Sequence, residues 1–216
     1  MNAGLVLVAG APLIWTHRLA ALAAAGERLI AVDSGADHLA RIGLRAAAVI
    51  GDLDSLSRQT RSWLGEETLI HRPDQDRTDL DKALEYAFDE LGAAGVTVLA
   101  ALGGRTDHET GNLGLLARHA MGEGLVFEAD DHRVLAVKGE TVLASREGET
   151  WSFWTYDPGV RVTIEGVRWP LNDQAISVGD RPSISNEAVA DQIQVHAQGG
   201  SVVVMQQFAR QEEVKS

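Results

Sequence analysis

Up to about residue 130 the chain alternates short apolar runs with stretches of helical period. The runs 5–8, 29–32, 47–50, 68–70, 96–102 and 125–128 suit buried strands, and the intervals between them suit crossover helices. A mainly parallel sheet covered on both faces is therefore expected. The clearest helix spans 78–91, where Leu80, Ala83, Leu84, Ala87, Phe88 and Leu91 form one apolar stripe and Thr78 with Asp81 resembles a capping box. A second is expected over about 109–119, although Gly111 and Gly114 weaken it.

Beyond Asp130 the texture changes to short, partly alternating runs at 133–137, 140–144, 150–155, 160–164, 175–178, 192–196 and 201–205, separated by Gly, Pro, Asp and Asn. This spacing predicts an antiparallel sandwich. The expected fold class is an α/β N-terminal domain over 1–130, with a Rossmann-like, mainly parallel sheet, followed by a C-terminal antiparallel β-sandwich over 131–216. No linker rich in Pro or Ser marks the boundary, and the tail 211–216 is expected to fray.

Composition narrows the partners. With 45% hydrophobic residues among 216, the chain has ample material for a core, which sets intrinsic disorder aside. A formal charge of −12 without any Lys/Arg run argues against nucleic acid or an anionic membrane as partner. A polyanionic substrate would need a metal to shield it. The lack of cysteine excludes disulfides, thiolate zinc sites and cysteine nucleophiles, and fits a cytoplasmic protein. The apolar N-terminus has no basic stretch and soon meets Pro12, so it reads as a first strand and not as a signal peptide. No segment approaches the about 18 unbroken apolar residues of a membrane helix.

Candidate chemistry sits at the predicted strand ends. Gly51-Asp52-Leu53-Asp54-Ser55 closes the run ending at Ile50; if the strand continues, residues two apart share a face and both carboxylates emerge together. Such a pair suits Mg²⁺, though Asp-x-Asp beside Gly is also an ordinary turn. Three further acidic groups occupy equivalent places: Asp33-Ser34-Gly35, Asp74-Gln75-Asp76 with Asp79, and Asp107 after Gly103-Gly104-Arg105. In open α/β sheets ligands bind outside the carboxyl ends of strands, so all four groups can face one crevice. Carboxylates crowded in this way repel unless a cation neutralises them. Arg105 offers a planar fork for phosphate oxygens, or simply a surface ion pair with Asp107. Neither GxxxxGK[ST] nor GxGxxG is present. The seven histidines show no ligand-like spacing, and His108 alone falls inside a motif. Trp15, Trp63, Trp151 and Trp154 read as core or interface aromatics; Trp169 lies in a turn-like segment where it could stack a flat ligand, with core packing the simpler reading.

Taken in series, Gly51–Ser55, Pro73-Asp74-Gln75-Asp76-Arg77-Thr78-Asp79, Gly103–His108 through Asn112, and Ser183-Ile184-Ser185-Asn186 resemble the thiamine pyrophosphokinase family in order and spacing, over nearly the whole chain. The resemblance implies a homodimer that moves a pyrophosphoryl group from ATP to thiamine, giving thiamine diphosphate and AMP, with active sites at the dimer interface. It implies that Asp33, Asp52, Asp54 and Asp79 surround Mg²⁺ and the ATP phosphates, and that Ser34, Gly35, Ser55, Arg105, Asp107 and Asn112 complete the nucleotide site. It places Gln75, Trp169, Ser183, Ser185 and Asn186 at thiamine. Asp52, Asp54, Asp79, Arg105 and Asp107 are the catalytic candidates. Leu53 stands where the family has Phe, and Glu109-Thr110 stands where a more apolar pair is expected; both bear on packing. Two other functions fit the same residues: a metal-dependent phosphohydrolase acting on a nucleotide or thiamine ester, and a thiamine-binding sensor without turnover.

Overall fold

The computed structural model describes residues 4–13 and 16–208; Trp15 and the tail 211–216 lie outside them. The elements run β1 (Leu5–Val8), α1 (Thr16–Ala24), β2 (Arg28–Val32), α2 (Gly35–Arg41), β3 (Ala48–Gly51), α3 (Arg58–Leu64), β4 (Leu69–His71), α4 (Asp79–Glu85), β5 (Val96–Leu99), α5 (Thr106–His119) and β6 (Leu125–Glu128). Then follow β7 (His132–Ala144), β8 (Thr150–Trp154), β9 (Arg161–Glu165), β10 (Leu171–Ala175), β11 (Ser183–Glu187) and β12 (Gln192–Gln207). Two compact units result, one running up to Asn112 together with Val126–Asp130, the other comprising Leu113–Leu125 and the chain from Asp131 onward.

In the first unit the strand order is β6-β5-β1-β2-β3-β4. β1 pairs in parallel with both β2 and β5, and β2–β3 and β3–β4 continue the parallel pairing. Every residue of β1 and β3 is buried, as a sheet covered on both faces requires. On one face Leu19, Leu39 and Leu64, from three helices, pack with Val6, Val8, Leu29 and Val49. Those helices were not singled out by apolar spacing, because two of them have only seven residues.

Three expectations need correction here. β5 ends at Leu99 and not at 102: Ala100 takes φ 55° and its carbonyl accepts the Ala11 N–H at 2.9 Å, so Ala101 and Leu102 are buried in a loop. α5 begins three residues before 109. The stripe over 78–91 is helical, with Leu80, Ala83, Leu84 and Ala87 buried, but the α-helix passes into a single π turn at Tyr86–Glu90. Thr78 caps it as expected, its Oγ1 accepting the Asp81 N–H at 3.3 Å.

The second unit is antiparallel. β12 pairs with β7 along its length on one edge; on the other, its first half pairs with β9 and its second half with β8. β10 extends β9 and β11 extends β8. The pairs 133–137/140–144 and 192–196/201–205 are thus two long strands and not four short ones. The glycines that suggested turns belong to a bulge: Ala197 pairs Gly139 and Ser201 pairs Lys138, leaving Gln198, Gly199 and Gly200 unmatched on that side. The strand expected at 175–178 lies instead at Leu171–Ala175, and β11 was not foreseen; both are edge strands with polar sequences, which hide the alternation. Trp151 and Phe153 stack at 6.2 Å in the core of this unit.

Candidate active site

The parallel sheet ends in carboxylates. β2 runs into Asp33, which is buried, holds φ 46°, and donates its N–H to the Ile50 carbonyl at 2.9 Å. β3 ends at Gly51, φ 154°, where an added Cβ would stand 3.1 Å from Asp33 Cβ and from Asp79 Cγ. Glycine is what lets those two side chains close over the strand end. The chain then leaves the sheet. Leu53 adopts φ 63° and buries its side chain among Val49, Leu56 and Leu64, while Asp52 Oδ1 accepts the Asp54 N–H at 3.2 Å. The two carboxylates therefore converge through a turn anchored by Leu53, and not through the strand alternation that the spacing suggested.

Asp33, Asp52 and Asp54 each offer an oxygen within 4.8 Å of the others. Burial, followed by the charges of Asp79 and Asp52, pushes the Asp33 carboxyl above its usual range, and its Oδ1 is buried without a hydrogen-bond partner. Asp52 is held below its usual range, first by the Asp54 N–H and then by Gln75, whose Nε2 lies 3.4 Å from Asp52 Oδ2, and by Lys82. Hard oxygen donors, mutual repulsion and an orphaned buried oxygen are what a divalent cation such as Mg²⁺ would satisfy, so the residues fit that ion. Ser55 Oγ donates to Asp54 Oδ1 at 2.8 Å.

Asp79, the first residue of α4, belongs to the same group: its Oδ1 accepts the Asp52 N–H at 3.2 Å and Lys82 Nζ at 2.9 Å. Sequence reading passed over Lys82. The signal was a lysine three residues after Asp79, set between Leu80 and Ala83 on the buried stripe. Gly35 seats α2 against β1 so closely that an added Cβ would meet the Val8 carbonyl oxygen at 1.9 Å, which fixes Ser34 beside Asp33.

Arg105 and Asp107 bind each other, at 2.7 Å between Nη2 and Oδ2, and both are exposed. Asp107 is drawn down to about 2 by Arg105 and then by the His108 N–H. Among the described residues no hydrogen bond or ion pair joins them to the four clustered carboxylates. Asn112 is buried and its Nδ2 donates to the Ala101 carbonyl at 2.8 Å, holding the loop after β5.

The remaining candidates lie in the second unit and form a group of their own. Asn186 is 2% exposed; its Oδ1 accepts the N–H groups of Trp169, at 3.1 Å, and Glu187, while its Nδ2 donates to the Trp169 carbonyl at 2.8 Å and reaches Ser183 Oγ at 3.3 Å. Ser185, φ 56°, donates its N–H to Ser152 Oγ at 3.0 Å. Trp169 is 58% exposed, with the Arg168 guanidinium 5.8 Å from its ring, so the core reading of this tryptophan is overturned. Trp151 is buried as expected, and Trp63 and Trp154 are half-buried.

Two family descriptions match the chain: "Thiamin pyrophosphokinase, catalytic domain" over residues 19–125 and "Thiamin pyrophosphokinase, vitamin B1 binding domain" over residues 135–202. Thiamine pyrophosphokinase 1 of Arabidopsis thaliana is 30% identical over 207 residues, covering 86% of this chain and 77% of its own. The thiamine pyrophosphokinase of Bacillus subtilis is 28% identical over 167 residues, 74% of this chain and 78% of its own. A crystal structure of the thiamine pyrophosphokinase from Bacillus subtilis shares the fold at a TM-score of 0.80 and 24% identity, covering 95% of this chain and 99% of that one. With both family domains in sequence order and relatives matched over most of their length, the chain belongs to the thiamine pyrophosphokinase family.

Proposed function

We propose that this protein transfers a pyrophosphoryl group from ATP to thiamine, yielding thiamine diphosphate and AMP. The observation that carries the reading is the meeting of Asp33, Asp52 and Asp54 within 4.8 Å at the end of a parallel sheet, in a chain of this family. The α/β part, over 1–130 in the sequence division, is assigned nucleotide and metal binding; the β part, over 131–216, is assigned thiamine binding and dimerisation. Asp33, Asp52 and Asp54, supported by Asp79, would hold Mg²⁺, which when bound neutralises charge on the phosphates.

The chain's own residues have the following assignments. Asp79 fixes the Asp52 loop through the Asp52 N–H. Arg105 is exposed and exchanges Asp107 for phosphate oxygens, which its fork can grip in pairs. Ser34, Gly35 and Ser55 line the nucleotide side, and Asn112 holds the loop that presents Arg105. Gln75 lies against Asp52, and the exposed Trp169 ring, set in place by Asn186, is a plate for the thiamine ring, flanked by Ser183 and Ser185. Positioning and electrostatics do most of the work in such transfers, and no general base is assigned. A homodimer is proposed with the family resemblance and the exposed Trp169, Ile184 and Val189 in its support. A cytoplasmic location accords with the absence of cysteine.

The test is AMP formation from ATP with and without thiamine and Mg²⁺. AMP and thiamine diphosphate appearing in step, with both additions required, is the expected result. Release of inorganic phosphate without thiamine would replace transfer with hydrolysis, and thiamine binding without AMP would leave a sensor. Light scattering checks the dimer.

A further inference from the structure

Lys82 is 3% exposed, and its ammonium reaches into the acidic group at Asp79. A buried ammonium is costly unless it is paired. An apolar residue there would simply extend the surface of Leu80, Ala83 and Leu84, so the stability of α4 does not account for it. The hydrogen bonds do. Lys82 Nζ donates to Asp79 Oδ1 and to the Arg72 carbonyl, each at 2.9 Å. The Arg72 N–H donates to the Gly51 carbonyl at 2.8 Å, and Asp79 Oδ1 accepts the N–H of Asp52, the residue after Gly51. These bonds close a ring through Gly51, Arg72, Lys82, Asp79 and Asp52. The ring ties the end of β3, the chain just beyond β4 and the start of α4 together at the point where Asp52 departs.

We infer that Lys82 is a positioning residue for pyrophosphoryl transfer: it locks the Asp79 carboxylate against the Asp52 N–H and supplies a built-in countercharge to the acidic group. The inference rests on the proposed function and deepens it. Lys82 touches neither substrate; it acts through Asp79.

The test is a cycle of Lys82→Met, Asp79→Asn and the double variant, with kcat and KM measured at saturating Mg²⁺ and thermal unfolding measured with and without Mg²⁺. Lys82→Met is expected to lower kcat by on the order of 10- to 100-fold while KM for thiamine stays within about twofold. The double variant is expected to match Asp79→Asn alone within about twofold, because two residues acting as one unit are not additive. Without the ammonium the carboxylates depend more on added cation, so Mg²⁺ should raise the melting temperature of Lys82→Met more than that of the unmodified protein. Losses in kcat that multiply, or an unchanged kcat in Lys82→Met, overturn the positioning role; an equal or smaller Mg²⁺ increment overturns the countercharge. If Lys82→Met does not fold, Lys82→Gln, which keeps a donor for the Arg72 carbonyl, takes its place in the cycle. Failure of the unmodified protein to form AMP would count against the proposed function instead. The positioning role for transfer would then fall with it, and the unfolding cycle would decide only whether Lys82 locks Asp79, with coupling keeping the lock and additivity ending it.

Discussion

The acidic group around Asp33 and the Asn186–Trp169 group solve opposite problems. In the first, charged side chains are pressed together and one carboxyl oxygen is buried without a partner. In the second, the buried polar side chain spends its hydrogen bonds on neighbouring backbone and leaves an indole in the open. Energy is stored in one group and satisfied in the other. Lys82 neutralises the acidic group only in part, which leaves a demand that the proposed cation would meet, whereas the satisfied amide beneath the exposed ring makes no such demand.

The sharpest way to test this contrast is to remove charge from the first group. Asp52→Asn or Asp54→Asn is expected to lower kcat by on the order of 100-fold or more without loss of folding, since the electrostatics and not the volume of the side chain is lost. Near-normal turnover in both at saturating Mg²⁺ would dissolve the distinction between the groups. In the second group the large effect should fall on stability. Asn186→Ala strands the Trp169 N–H and carbonyl and is expected to cost about 2–3 kcal/mol in denaturant unfolding. Trp169→Ala should do the reverse, raising KM for thiamine several-fold while the unfolding midpoint moves by less than about 0.5 kcal/mol, as at other exposed positions. Asp33→Asn should stabilise the metal-free protein by on the order of 1 kcal/mol, because it relieves burial and repulsion, and should abolish that advantage once Mg²⁺ is added.

The smallest effect concerns His38, on α2. It is buried with Nε2 2.8 Å from the Ala11 carbonyl, and burial holds its pKa below the ordinary value. As pH falls below about 6.5 the unfolded chain takes up a proton that the folded chain refuses, so stability is present above that pH and declines beneath it. Melting curves at pH 8 and pH 5.5 should therefore converge by several tenths of a kcal/mol in His38→Gln relative to the unmodified protein.

How far the sequence could be read depended on what kind of force placed each residue. Buried parallel strands announce themselves by composition, and the runs ending at Val32 and Ile50 led directly to Asp33, Asp52 and Asp54. The reason these carboxylates meet was out of reach, because it lies in the positive φ of Leu53, and a leucine gives no sign of such a conformation. Glycines at 139, 199 and 200 carried the opposite error: they suggested turns where two long strands only bulge. Lys82 escaped notice since its partner, the Arg72 carbonyl, is a backbone group that no side-chain motif records. Trp169 stood open between a stacking surface and the core, because the rule that large aromatics are buried cannot separate the two; its exposure removes only the core reading.

At Gly35 the constraint comes from a strand carbonyl and not from chemistry. With 1.9 Å between the Val8 oxygen and the place a methyl would occupy, even alanine would drive α2 off the end of β1 and drag Asp33 with it. Substitution at this position is thus closed in a single step, whatever chemistry the neighbouring carboxylates are asked to support, and any redesign of that strand end would have to begin elsewhere.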